Sequence, residues 1–292
     1  MVHSEVSPPE ALPPLVSVVI VSHNCRTALE RCLDAIGRSQ GAERIETLVV
    51  DAGSRDGSAE VDADRPWVQV IRMPMYFGRT RARNIGTRTA RGELVLFLDP
   101  RVEVRPETIL RLAETLEQRP DAAAAVPSLE TPDGAPVAIT FRLPSADELR
   151  RSSLKLEPLP RVEAGGEAIE AAEDWAVMVR RTFLGGMNYL NEKRFSEFWA
   201  MLDVYHQMRL AGKKLLWIRE ARAMLHPELP PVAERRELVA DAVAGAAGYI
   251  GRYHGFFAAL GFRLRCLLAA LGAFDLGLAW FILQGRRLDP TQ

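Results

Sequence analysis

The sequence has few cysteines, almost no net charge and no zinc-binding pattern. Its 292 residues include three cysteines, Cys25, Cys32 and Cys266, without the close Cys/His pairs that a structural zinc site requires. We therefore expect a reducing compartment and a cytoplasmic location. The formal net charge is -1, so no overall field favours nucleic acid as a partner.

Two common kinds of segment are also missing. Met1–Pro14 carries two glutamates and four prolines where a signal peptide would have a basic start and an apolar core, so we expect a flexible tail over residues 1–14. The apolar run Val16–Val21 is followed by Ser22, His23 and Asn24 rather than by GxGxxG. This absence argues against a dinucleotide-dependent dehydrogenase.

What is present is the pattern of a folded α/β protein. Apolar residues make up 48% of the chain and charged residues 26%, which is typical of globular domains. Short apolar runs predict strands at Val16–Val21, Ile45–Val50, Val68–Arg72 and Leu94–Leu98, with helical segments between them. Such alternation predicts a mostly parallel sheet, which binds ligands beyond the carboxyl ends of its strands.

The composition and spacing of apolar residues change after the fourth predicted strand. Pro106 suits the first turn of a helix that runs to about Leu116, and Trp199–Leu210 has helical spacing again. Between them, Pro127–Asp174 is rich in Pro, Gly and Glu and predicts an irregular second lobe.

The last fifty or so residues carry an apolar helical stripe. Charged residues, including Arg263, Arg265 and Asp275, interrupt it, so no uncharged run approaches the ~20 residues that span a bilayer. The stripe could lie on a membrane surface, or it could pack on the rest of the chain or on a second subunit. Its residues are Leu260, Leu264, Leu267, Leu271, Phe274, Leu278 and Phe281.

Four motifs follow one another along the first part of the chain: VSVVIVSHN at 16–24, VVDAGSRDGS at 49–58, ARNIG at 82–86 and RGELVLFLDPRVEV at 91–104. In this order they resemble the nucleotide-binding half of family 2 glycosyltransferases. Downstream segments resemble the rhamnosyltransferase-like branch, namely Phe141–Pro144, Val179–Arg181, Leu190–Glu192, Ala221–His226 and Arg252–Gly255.

The resemblance implies a fold and a division of the chain. The fold is α/β, a Rossmann-like GT-A fold with a mostly parallel central sheet flanked by helices, plus C-terminal amphipathic helices. Residues 15–106 would be the nucleotide-sugar-binding half and 107–232 the acceptor-side half, followed by a helical, potentially membrane-associated region at 233–292.

The resemblance also implies a donor site at the strand ends. Asp51 follows a predicted strand and enters a glycine-rich loop, where a carboxylate can accept hydrogen bonds from a base or ribose. Alternatively, Ser54 and backbone amides satisfy it as a loop carboxylate. The expected nucleotide-sugar-binding residues are Ser22, Asn24, Asp51, Gly53, Arg83, Asn84 and Asp99.

Family members hold a divalent metal with two acids separated by one residue. Here the corresponding segment reads Asp99-Pro100-Arg101. A guanidinium cannot bind a metal, although it could neutralise a phosphate. The expected Mg²⁺ or Mn²⁺ site therefore rests on Asp99 and on His226, which matches the family's late histidine and could instead be structural.

The catalytic base is the least certain part of the resemblance. The Glu-Asp pair that supplies it in inverting members falls on Ala200-Met201, neither of which accepts a proton. Asp203 or Glu197 could replace it from the helix near Trp199, or both could be ordinary acids on a helix surface.

The resemblance predicts transfer of a sugar, with rhamnose as the family-suggested donor sugar, from a nucleotide sugar to a glycan or lipid-linked acceptor. The reaction would invert the anomeric centre and serve surface polysaccharide biosynthesis at the inner membrane face. The alternative is a non-catalytic relative that binds a nucleotide sugar or acts as a partner subunit in a homo- or hetero-oligomer.

Overall fold

The computed structural model describes residues 14–227 and 235–288. The predicted tail lies outside this range except for Pro14, as do residues 228–234 and 289–292. The strands are β1 Val16–Ser22, β2 Ile45–Ala52, β3 Val68–Met73, β4 Leu94–Leu98, β5 Val102–Val104, β6 Ala122–Glu130, β7 Pro136–Val137, β8 Thr140–Phe141, β9 Ala168–Ile169, β10 Ala171–Ala172, β11 Ala176–Arg180 and β12 Lys214–Leu225. The α-helices are α1 Arg26–Gly37, α2 Arg79–Thr89, α3 Thr108–Gln118, α4 Ala146–Lys155, α5 Arg181–Gly186, α6 Ala200–Leu210, α7 Arg235–Tyr253, α8 Phe256–Gly272 and α9 Leu276–Gln284.

One large sheet runs through both halves of the chain in the order β3-β2-β1-β4-β11-β6-β12-β5. The four strands predicted from apolar runs are mutually parallel where they pair, with Val16 opposite both Ile45 and Leu94. β11 is antiparallel to both of its neighbours, so the sheet is mixed but mostly parallel. This confirms the predicted fold class.

The apolar runs become strands because helices cover the sheet. Every residue of β4 is buried, and β1 is buried except for Val21. Helix α2 packs on β1 and β2, while α3 packs on β6 and β12. Because both faces of these strands are buried, polar residues need not alternate with apolar ones, which explains the continuous apolar sequence.

The segment Pro127–Asp174 is more regular than the sequence predicts. Strand β6 runs from Ala122 to Glu130 in the main sheet, so the first residues of this segment belong to the core. Its four alanines gave little strand signal because alanine is depleted in strands. Helix α4 begins with a capping box between Ser145 and Glu148.

The C-terminal stripe is divided between two helices. Helices α7, α8 and α9 pack against one another, and α7 also packs on α4. A turn with Phe274 at φ 56° separates α8 from α9. Leu278 is consequently buried while Leu260 and Leu264 remain exposed. Within residues 14–227 and 235–288, no helix combines the length and apolarity needed to cross a membrane.

Candidate functional site

A cavity of about 1270 Å³ lies at the carboxyl ends of β1 and β4. The strand order reverses between these two strands, the position where open α/β sheets bind ligands. His23 and Asp99 line the cavity on the sheet side, while Met201 of α6 and Leu238 of α7 line it opposite. The cavity thus lies between the predicted donor half and the C-terminal elements.

The loop after β2 is held by its own side chains. The buried Asp51 accepts hydrogen bonds from the Ser54 backbone N–H at 2.9 Å and from the Ser54 hydroxyl at 2.5 Å. Asn24 lines the cavity, and its Oδ1 accepts from the Arg55 N–H at 2.8 Å. Ser22 and Asp51 lie behind this loop and are not cavity-lining residues among those described.

Gly53 occupies a position that only glycine fits. Its φ is +73°, and a Cβ there would lie 2.7 Å from the Met75 Cα. A side chain would therefore require the backbone to shift.

Two neighbouring residues of α2 have different environments. Arg83 lines the cavity and donates to Asp174 Oδ2 at 2.6 Å and to the Asp174 carbonyl at 2.9 Å. The fully buried Asn84 instead binds the Leu190 backbone through both ends of its amide and donates to Glu192 at 2.8 Å. Asn84 therefore joins α2 to a distant loop and does not face the cavity.

Asp174 is a cavity-lining carboxylate that the sequence analysis missed. Arg79 also contacts it, with Nη1 3.3 Å from Oδ1. Burial alone would raise the pKa of Asp174, but Arg79 and Arg83 hold that pKa well below its usual range. A carboxyl group two residues before the buried strand β11 was the available signal.

The segment Asp99-Pro100-Arg101 forms an ion pair at the cavity wall. Arg101 Nε lies 2.8 Å from Asp99 Oδ1, Nη2 lies 2.9 Å from Oδ2, and the Arg101 N–H donates to Oδ1 at 3.0 Å. The side-chain hydrogen bond to Asp99 raises the pKa of Arg101 despite partial burial. Arg101, which stands where the family has its second acid, is thus paired with the first acid, Asp99.

The metal site expected at Asp99 and His226 does not fit these contacts. His226 Nε2 lies 3.0 Å from Glu103 Oε2, and the His226 N–H donates to the Arg101 carbonyl at 3.0 Å. Glu103 also contacts Arg38 at 3.7 Å. No group of three or more His, Cys, Asp or Glu side chains in the described ranges could hold a metal. A divalent ion here would have to compete with the Arg101 guanidinium for the oxygens of Asp99.

Glu197 is the predicted base candidate that lines the cavity. Its Oε2 accepts from the Tyr76 hydroxyl at 2.5 Å and from the Arg79 N–H at 3.0 Å, while Oε1 lies 3.3 Å from Arg79 Nε. Burial, reinforced by Glu197, raises the pKa of Tyr76 well above its usual value, so the phenol remains a donor. Tyr76 was not identified from the sequence.

Asp203, the other predicted candidate, faces α7 instead. It is 1% exposed, and its two oxygens accept from Arg252 at 2.9 Å and from Tyr253 at 2.6 Å. Burial raises the pKa of Asp203 above its usual value. Asp203 is not a described cavity-lining residue, which argues against its predicted role as the base.

The start of α6 presents an apolar surface where the resemblance places a catalytic acid. Met201 lines the cavity and is 3% exposed, and the neighbouring Ala200 is buried. Trp199 precedes them at φ 70° and donates from Nε1 to the Ala242 carbonyl at 2.8 Å. This surface therefore packs on α7 and offers no proton acceptor from Ala200 or Met201.

Sequence comparisons find a known family whose model resembles part of the chain. The family model described as glycosyl transferase family 2 matches residues 17–151. The chain is 32% identical over 119 residues to an undecaprenyl-phosphate 4-deoxy-4-formamido-L-arabinose transferase of Aeromonas hydrophila, covering 38% of this chain and 36% of that protein. It is 31% identical over 107 residues to an N-acetylglucosaminyltransferase of Sinorhizobium fredii, covering 35% of this chain and 26% of that protein. The matched part of the chain therefore spans 36% and 26% of the length of these two relatives.

Structural comparison extends over more of the chain. GalNAc-T7 with UDP, GalNAc and Mn²⁺ matches with a TM-score of 0.57 at 18% identity, covering 82% of this chain and 48% of that chain. S. aureus TarS 1-349 in complex with UDP matches with a TM-score of 0.57 at 16% identity, covering 92% and 80%. The match over residues 17–151 supports a family 2 glycosyltransferase, and the likeness to these structures confirms the α/β GT-A-like fold expected from the sequence.

Proposed function

We propose that this protein transfers a sugar from a nucleotide-sugar donor to a glycan or lipid-linked acceptor, with inversion, in cell-surface polysaccharide synthesis. The observation that carries the proposal is the cavity at the β1 and β4 ends, where Arg79, Arg83 and Arg101 surround two aspartates. Guanidinium groups match the charge and geometry of a diphosphate. Rhamnose is our candidate donor sugar, and the acceptor class follows from the undecaprenyl-phosphate in the name of one relative.

The expected donor residues divide into two groups in this proposal. Asn24, Arg83 and Asp99 line the cavity and would face the donor. Ser22, Asp51, Gly53 and Asn84 would shape the loops that place those three, because their contacts are with the protein itself.

We assign the base role to Glu197. Its carboxylate would take the proton of an acceptor hydroxyl as the hydroxyl oxygen attacks the anomeric carbon and the nucleoside diphosphate leaves. Arg79 and Tyr76 hold the carboxylate at the cavity wall. The carboxylate of Asp174 is a weaker base, since Arg79 and Arg83 lower its pKa.

The exposed face of α8 and α9 supports attachment to a membrane surface. Side chains such as Phe257, Phe274 and Trp280 are 84%, 90% and 56% exposed. Such a large apolar patch marks an interaction surface. Residues 255–288 contain four arginines and one aspartate, which complements an anionic leaflet.

A basic groove adjoins this face and favours a membrane over a protein partner. Lys193, Arg194 and Arg287 line it together with Phe256, the first residue of α8, and no described acid lines it. Cationic side chains beside exposed aromatic rings fit phosphate headgroups above acyl chains. We propose that this surface holds the protein on the inner face of the membrane, near a lipid-linked acceptor.

The transfer activity is tested by incubating purified protein with UDP-, GDP- and dTDP-sugars and a lipid-linked acceptor. We expect acceptor-dependent release of nucleoside diphosphate from one donor, with dTDP-rhamnose the first candidate. Release no faster than in buffer, across a panel that includes this donor, would contradict the proposal.

A non-catalytic nucleotide-sugar-binding role is the second candidate, and the apolar Met201 favours it. The double variant Arg101→Asp, Met201→Asp restores acids at both positions. In a degenerate enzyme, turnover would appear or rise strongly in the double variant. If the wild-type protein turns over at least as fast as the double variant, the wild type has not lost its catalytic activity, and the non-catalytic role is excluded.

Membrane attachment is tested with the double variant Phe257→Ser, Phe274→Ser. We expect sedimentation with anionic phosphatidylglycerol vesicles to weaken at least about tenfold, because two exposed aromatic side chains are lost. Leu210→Ser, which removes an apolar side chain 66% exposed at the end of α6, is the matched control. Equal sedimentation of both variants and the wild type would reject the proposed surface.

A further inference from the structure

The ion pair between Asp99 and Arg101 occupies the place where a divalent ion would have to bind. Both carboxylate oxygens accept from the guanidinium, and Oδ1 also accepts from the Arg101 N–H. Pro100 restricts the backbone of the residue before it and has a fixed φ of its own. The pair is therefore built into a short, rigid loop between β4 and β5.

Two acids close to this ion pair, Asp174 and Glu103, already have partners of their own. Asp174 contacts Arg79 and Arg83. Glu103 contacts His226 and Arg38. Each of these carboxylates already has a cationic or imidazole partner, so none is an unpaired oxygen ligand. A hard divalent ion requires such ligands.

Arg101 itself has the chemistry that a diphosphate requires. It lines the cavity beside Asp99, and its side chain is 18% exposed. A guanidinium carries N–H donors on three nitrogens in a fixed planar fork, so one group can contact more than one acceptor. The same group can therefore be positioned by a carboxylate while it donates to phosphate oxygens.

We propose that Arg101 takes the place of the divalent cation in this site, so that the donor diphosphate binds without metal. Asp99 is then a positioning residue that orients the guanidinium. The inference deepens the proposed function and rests on it, since it assumes that the cavity receives a nucleotide sugar.

The test is calorimetric titration of the full-length protein with UDP, GDP and dTDP, in EDTA and in Mn²⁺. We expect the wild type to bind one of them with affinities that differ less than about twofold between the two conditions. Arg101→Met should weaken binding at least about tenfold in both conditions, because it removes a charge-assisted phosphate contact. Arg101→Asp should bind weakly in EDTA and regain affinity in Mn²⁺.

Arg38→Met is the matched control, because Arg38 is an exposed cation that contacts Glu103 and does not line the cavity. It should bind as the wild type does, and melting curves should show that all variants are folded. Tenfold tighter wild-type binding in Mn²⁺, or unchanged binding by Arg101→Met, would overturn the role of Arg101. No wild-type binding of any nucleotide in either condition would overturn the proposed donor site as well.

Discussion

The sheet side and the helix side of the cavity use their polar groups differently. On the sheet side, Asn24 accepts a hydrogen bond from the Arg55 N–H in the loop after β2, and Asp99 accepts one from the backbone of its own loop. On the helix side, Met201 and Trp199 present apolar surface, and the acids Glu197 and Glu237 also line the cavity. The cavity therefore has one wall whose polar groups bond to neighbouring loops, and another wall that combines apolar side chains with acids.

This difference shows which motif residues are informative about function. Gly53 and Asn84 match the family pattern, yet each is also explained by backbone geometry or by contacts within the protein. The presence of these two residues is therefore stronger evidence for the family's fold than for its catalytic activity. Arg101 and Glu197 are the more decisive residues, because they line the cavity and depart from the pattern.

The largest expected effect is on turnover in Glu197→Gln. The amide keeps the shape of the side chain but cannot take a proton, so we expect kcat to fall about 10²- to 10⁴-fold with little change in donor KM. Steady-state rates across pH measure this, and the dependence on an ionised base should disappear in the variant.

Asp203→Asn is the matched comparison on the same side of the cavity. Its side chain contacts Arg252 and Tyr253 rather than the cavity, so turnover should change less than about threefold. A large loss of kcat in folded Asp203→Asn, with normal rates in Glu197→Gln, would reverse the two assignments.

A smaller effect is expected on stability in Asp174→Ala. The substitution leaves Arg83, 5% exposed, without its carboxylate, and removing one partner of a buried ion pair costs about 3 kcal/mol or more of unfolding free energy. Denaturant unfolding measures the loss. Asp34→Ala breaks an exposed pair with Arg65 and should cost less than about 1 kcal/mol. Equal losses in the two variants would show that the Asp174 cluster is not a buried structural unit.

The fold could be predicted from the sequence because its signals are local. Leu94–Leu98 is a strand with the predicted bounds, and Val16–Val21 extends by one residue. Strand β6 was missed because its alanines carry little strand propensity. The division of the apolar stripe between α8 and α9 depends on a turn at Phe274, which has no glycine to mark it.

The candidate site could be predicted only in part because its contacts are distant along the chain. Arg83 and Asp174 are 91 residues apart, and Tyr76 and Glu197 are 121 apart. Spacing within a motif cannot reveal such pairs. The sequence shows that Arg101 stands where the family has a second acid. Only the structure shows that Arg101 donates hydrogen bonds to Asp99.

The smallest expected effect is the pH dependence that Asp203 gives to stability. Burial raises its pKa in the folded protein above the unfolded value of about 3.9, so the folded state holds the proton more tightly. The resulting stabilisation is complete below that unfolded pKa and is lost as pH rises through the folded pKa. The stability difference between wild type and Asp203→Asn should therefore shift against the wild type by about 1 kcal/mol or less between pH 3.5 and pH 7. Urea unfolding at the two pH values measures the shift. A shift in the opposite direction would show that Arg252 and Tyr253 outweigh burial, making this contact an ion pair that favours the charged carboxylate.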